Sequence, residues 1–198
     1  MKKIAVVIAL ALALAACGER SRTTSSLFKS TDISSVEWGR DFRLLDHHGQ
    51  RTSVADFKGK VVLLFFGFTH CPDVCPTTLA DMARVVVALG PDGARVQGLF
   101  ATVDPRRDTP EVLAKYVVGF HPSFRGLYAD ETATAALARE FKFFYGAPPG
   151  HDAHNYSVDH GAAIYVYDPQ GRLRLLMGPD RTVETMLADV RLLLKESA

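Results

Sequence analysis

Residues 61–68 read Val-Val-Leu-Leu-Phe-Phe-Gly-Phe, an apolar run with no polar face. A near-continuous run of this length predicts a strand buried on both faces. Such a strand needs packed layers above and below it, so it dictates a sheet with helices on either side. Two cysteines follow it at once, in Thr69-His70-Cys71-Pro72-Asp73-Val74-Cys75-Pro76.

The flanking pattern supplies the layers. Residues 42–46 predict a strand, His47-His48-Gly49-Gln50 its turn, and residues 51–54 the return. After the cysteines, Leu79, Met82, Ala83, Val86 and Leu89 recur at helical spacing, and Gly90-Pro91-Asp92-Gly93 ends that helix. Residues 96–103 predict the next strand. Thr109 caps a further helix, with Pro110 at its first position, running to about residue 120. Residues 132–141 are helical by pattern. Residues 162–167 and 173–177 predict a hairpin around Asp168-Pro169-Gln170-Gly171, and 182–195 a final amphipathic helix. The expected fold is α/β: a central mixed sheet flanked by helices, with an N-terminal hairpin extension.

The first residues belong to no core. Lys2 and Lys3 precede an apolar run over residues 4–14, and Leu14-Ala15-Ala16-Cys17 closes it. This is a secretory signal, too short for a stable membrane span. The small residues before Cys17 resemble a bacterial lipoprotein cleavage box, which implies that Cys17 becomes the lipidated first residue. Gly18, next in the chain, is not the aspartate that marks inner-membrane retention. Residues 18–35 are rich in Ser, Thr and Arg and read as a flexible tether. Three segments are therefore expected: a signal peptide over 1–16, a lipidated cysteine and tether over 17–35, and a folded domain over 36–198.

Removing Lys2 and Lys3 with the signal turns the formal charge of +1 into −1. No basic field remains to attract nucleic acid, and membrane attachment would come from the lipid. If Cys17 carries lipid, as the cleavage-box resemblance implies, Cys71 and Cys75 remain as a closed pair; an ordinary cleaved signal would leave Cys17 a bystander. Export places that pair where unprotected thiols tend to oxidise.

Cys71 and Cys75 each precede a proline, and a residue before proline avoids helical geometry. This predicts a loop over residues 71–74, with Cys75 as the helix cap and Pro76 as the first helical residue. A loop can adjust its sulfur spacing, so a disulfide and a metal chelate are both sterically open. The helix N-terminus favours thiolates, and thiolates both bind metals and exchange disulfides. Two thiolates and an imidazole, such as that of the distant His160, form a soft set suited to copper, and sulfur ligands suit zinc as well. Taken by itself, a lone histidine is more often a satisfied polar residue than a ligand.

Three blocks together resemble the Sco/SenC family. Gly67-Phe68-Thr69-His70-Cys71-Pro72-Asp73-Val74-Cys75-Pro76 is similar to its cysteine signature. Val103-Asp104-Pro105-Arg106-Arg107-Asp108-Thr109-Pro110 is similar to its second block. Val158-Asp159-His160, with the strand and Asp168-Pro169-Gln170-Gly171 after it, is similar to its third. The resemblance spans residue 42 to the end. It implies a thioredoxin-like fold and copper, as Cu(I) or Cu(II), bound by Cys71, Cys75 and His160, with Asp159 orienting His160 or capping a turn.

The implied function is a membrane-tethered copper chaperone for the dinuclear copper centre of cytochrome c oxidase. The implied partners are the oxidase subunit carrying that centre and other periplasmic copper chaperones. The implied place is the bacterial cell envelope, with the protein anchored to the inner membrane and facing the periplasm. The alternative is a thiol–disulfide reductant for the oxidase cysteines, with Cys71 and Cys75 as its redox-active pair.

Departures from neighbouring families narrow the choice. A thioredoxin carries one residue fewer between its cysteines. A peroxidatic cysteine needs Thr or Ser three residues earlier, where Cys75 has Pro72. His151 and His154 are expected in a solvated loop, Met177 in the core and Asp73 facing solvent. Arg106, Arg107 and Asp108 are expected to fix the helix start at Thr109.

Overall fold

A computed structural model describes residues 27–146 and 159–196. Cys17, His151 and His154 lie outside the described residues, as does the expected signal sequence.

Strand β4 (Val61–Gly67) is buried along its whole length, as its composition predicts. Its neighbours are β5 (Val96–Thr102), parallel to it, and β9 (Ile164–Tyr167), antiparallel to it. Beyond β5 lie β6 (Arg125–Tyr128), β2 (Leu44–Asp46) and β3 (Arg51–Thr52). Beyond β9 lie β10 (Leu173–Met177) and β1 (Thr31–Asp32). The sheet therefore runs β1-β10-β9-β4-β5-β6-β2-β3. The parallel trio β4, β5 and β6 forms its interior, and antiparallel pairs close both sides. The expected N-terminal hairpin is β2–β3 at one edge.

Successive residues of β4 alternate between two cores. Val61, Leu63 and Phe65 pack with Leu79 and Met82 of helix α1 (Val74–Ala88), with Leu113 of α2 (Pro110–Val118), and with Met186 and Val190 of α4 (Val183–Lys195). Val62, Leu64 and Phe66 face Phe42, Phe57, Tyr165 and Tyr167, together with Phe141 at the end of α3 (Glu131–Glu140). Each fully buried Leu or Phe contributes about 1.5–3 kcal/mol of transfer free energy. The strand end that carries the cysteines is thus held from both sides. Thr109 caps α2, its Oγ1 accepting from the Val112 N–H, and Pro110 opens the helix as expected.

Two features depart from the sequence reading. Strand β6 has no periodic signal: it is four residues long, contains Gly126 and owes its place to pairing with β5 and β2. Residues 29–33, expected within the tether, are bonded to the folded domain. The Lys29 and Ser30 N–H groups donate to the two carboxylate oxygens of Asp189 on α4, at 2.7 and 2.9 Å. Thr31 and Asp32 then pair with β10, and Ile33 is buried. A polar segment is ordered here by a carboxylate distant in sequence, which local composition does not register.

Candidate metal centre

Chain direction brings the sulfurs to one end of the sheet. β4 ends at Gly67, Phe68 stays buried, and the chain turns through Thr69 to Pro72 before entering α1. The Cys71 N–H donates to the Phe68 carbonyl at 3.2 Å, closing the turn.

Helix α1 begins earlier than expected. Asp73 is its N-cap, and Cys75 and Pro76 are already inside the first turn. The sequence reading had Cys75 at the cap. First-turn residues have no carbonyl to donate to within the helix, so Pro76 forfeits no hydrogen bond there. The Asp73 side chain makes no capping bond. The Cys75 N–H instead donates to the Cys71 sulfur at 3.4 Å. One cysteine therefore caps the helix that carries the other. Both are free thiols, Cys71 half-buried and Cys75 fully buried.

Gly67 makes the approach possible. A Cβ on it would lie 2.6 Å from the Cys75 sulfur and 2.8 Å from the Phe100 ring. The missing side chain is the space the sulfur fills. Burial pushes the Cys75 thiol far above its usual range, although the Phe68 backbone hydrogen bond opposes this. The helix start is expected to favour a thiolate, and burial at Cys75 opposes it. Desolvation of the charged form outweighs the helix N-terminus.

Asp108, expected to fix a helix start, ties the loop to the sheet. Its carboxylate accepts from the Thr69 N–H at 3.0 Å, the Thr69 hydroxyl at 2.6 Å and the Thr102 hydroxyl at 2.6 Å. Burial raises its pKa, and the threonine bonds partly offset that rise. His70 Nδ1 stands 3.8 Å from the same carboxylate. Arg107 bonds Asp104 and lies over the Phe68 ring, while Arg106 pairs with Glu131. Asp108 and its partner Thr69, 39 residues away, each stand in a quoted family block, but nothing in the sequence pairs them.

His160 enters through backbone pairing. Strand β8 (Asp159–His160) pairs antiparallel with β7 (Tyr145–Gly146), with Tyr145 opposite His160. Ile164 lies opposite Phe65 in the β9–β4 ladder. Because that ladder is antiparallel, the chain four residues before Ile164 lies toward the C-terminal end of β4. The cysteine loop leaves from that same end. Met177, as expected, is core, and Asp73 is exposed. Among the described residues, no three His, Cys, Asp or Glu side chains gather into a metal-sized cluster.

The SCO1/SenC family model matches residues 30–195. The chain belongs to the SCO1/SenC family. The mitochondrial SCO2 homolog of Mus musculus is 42% identical over 153 residues, which cover 76% of this chain and 60% of that protein. The chain thus spans about three fifths of that relative's length. Bradyrhizobium japonicum ScoI, solved with copper bound, is 38% identical with a TM-score of 0.69, covering 77% of this chain and 96% of that one. Apo Sco1 from Thermus thermophilus is 41% identical with a TM-score of 0.75, covering 84% and 96%. The fold shared with these Sco proteins is thioredoxin-like.

Proposed function

We propose that this protein carries copper as cargo and delivers it during assembly of cytochrome c oxidase, the process its family serves. The observation that carries the reading is the pair of free sulfurs, Cys71 and Cys75, side by side at the end of β4. Related Sco proteins have been solved with copper bound, which supports the same cargo here.

In this reading Cys71 and Cys75 supply thiolates and His160 an imidazole, with Asp159 orienting the ring. Soft sulfur holds Cu(I), and the added nitrogen allows Cu(II). A bound ion also resolves the conflict at Cys75. It supplies the positive charge that a buried thiolate otherwise lacks, so binding releases a proton. Transfer proceeds by exchange of sulfur ligands with cysteines of the oxidase subunit that houses the dinuclear copper centre. Periplasmic copper chaperones would load the protein. Lipid on Cys17, followed by a short tether, would hold it at the inner membrane of the cell envelope, facing the periplasm.

One observation favours a second reading, as a thiol–disulfide reductant. The pair is asymmetric: Cys71 is half-buried and Cys75 is fully buried. Cys71, as thiolate, would attack a partner disulfide and release one partner thiolate, which takes a proton. Cys75 would then lose its proton and attack the Cys71 sulfur, releasing the second partner thiol. Two electrons pass to the partner, and a Cys71–Cys75 disulfide remains.

His160→Ala separates the readings. The donor reading expects tight copper binding to be lost with thiol exchange kept, and oxidase assembly to fail. Full oxidase assembly in this variant would rule the donor reading out.

A further inference from the structure

Arg181 lies in the loop between β10 and α4 with its guanidinium turned inward. Nη1 donates to the Ala162 carbonyl and to the Gly178 carbonyl, each at 2.8 Å. Nη2 donates to the Thr78 hydroxyl. Thr78 stands three residues after Cys75 on α1, and Ala162 stands two residues after His160. One planar group therefore bridges the helix that carries Cys75 and the segment that carries His160.

The bridge has an unusual composition. Among the described residues Arg181 has no carboxylate within ion-pair distance, and its Nε is buried without a partner. Burial lowers its pKa, and Asp81 and Asp180 offset this only through longer-range attraction. A half-buried guanidinium without a paired carboxylate is a poor stabiliser compared with an apolar side chain of its size. What it provides is geometry, because a rigid fork of donors fixes the separation of the groups it bonds.

We propose that Arg181 is a positioning residue for the metal centre. It sets the spacing between the α1 turn bearing Cys75 and the backbone at His160, and so the fit of both around one copper ion. This rests on the Cys71, Cys75 and His160 ligand set proposed above. The arginine's hydrogen bonds go to Ala162, Gly178 and Thr78, so it acts through those segments. It acts on two segments, α1 at Thr78 and the chain at Ala162, which its hydrogen bonds join directly.

The test uses the full chain, fully reduced, with Cu(II) as the probe. Affinity is read by chelator competition and nitrogen coordination by electron paramagnetic resonance. Arg181→Met is expected to weaken affinity by roughly 10–100-fold, the range for groups that support a metal ligand, and to diminish the nitrogen coupling. Arg181→Lys should recover part of both, since an ammonium can still reach one acceptor. Thr78→Val keeps the arginine but removes one acceptor, and should fall between wild type and Arg181→Met. If Arg181→Met does not fold, Thr78→Val and Arg181→Lys decide the question. Wild-type affinity and nitrogen coupling in the folded Arg181 and Thr78 variants, with both lost in His160→Ala, would overturn the clamp alone. Should His160→Ala also keep both, the ligand set is wrong and the clamp falls with it.

Discussion

Gly67 shows how one absent side chain can build a site. Its neighbour across the gap is the Cys75 sulfur, 2.6 Å from where a Cβ would stand. The surrounding atoms belong to a fully buried strand and a buried phenylalanine, and neither has room to yield. Gly67→Ala should therefore destabilise the fold by about 1–3 kcal/mol, the usual effect of overpacking. It should also displace the sulfur and weaken copper binding. Urea unfolding and a copper titration check the two parts, and wild-type behaviour in both would discount the close approach. The sequence placed Gly67 in an apolar run but gave no hint of this contact, which depends on the helix folding back over the strand. Asp108 is similar: its type and block were readable, but its bonds to Thr69 and Thr102 are tertiary.

Elements were legible where their signal was local. The run over 61–68 became β4, and Thr109-Pro110 became the start of α2. The turn Asp168-Pro169-Gln170-Gly171 joins β9 to β10 as expected. Its Asp168 carboxylate accepts from the Gln170 and Arg172 N–H groups, each at 3.0 Å, and from the Arg172 and Arg174 guanidinium groups. Burial pushes this carboxyl up, but those bonds win and hold it below the ordinary carboxylate range. A folded pKa below the unfolded one means stabilisation that is full above about pH 4, the unfolded value, and is lost as pH falls through the folded pKa. Asp168→Asn should thus cost about 1.5–3 kcal/mol at pH 7, the range for hydrogen bonds to a charged group. In denaturant titrations across pH the deficit should shrink toward acid. A deficit that stays constant down to the acid limit would contradict the assignment. The expected start of α1 is two residues late because Pro76 is assigned the first helical position, whereas a proline forfeits no helical bond anywhere in the first turn, whose N–H groups lack helical acceptors.

At the scale of the molecule, the fold brings three segments far apart in sequence to one end of β4. The cysteine loop leaves β4, the Asp108 block follows β5, and the His160 segment precedes β9. Composition and periodicity indicated an α/β sheet, and the three motif blocks indicated the family. What they left unread is what locks those segments together: Asp189 on the N-terminal backbone, Asp108 on the loop, Arg181 across α1 and residue 162. Each is a polar contact between residues remote in the chain, invisible to any local window. Cys71, Cys75 and His160 are proposed to meet around a single ion. X-ray absorption of the Cu(I)-loaded chain beside His160→Ala tests this most directly. Two sulfurs and one nitrogen bonded to copper in the wild type, with the nitrogen gone in the variant, is the predicted result. An identical coordination shell in the two proteins would contradict it.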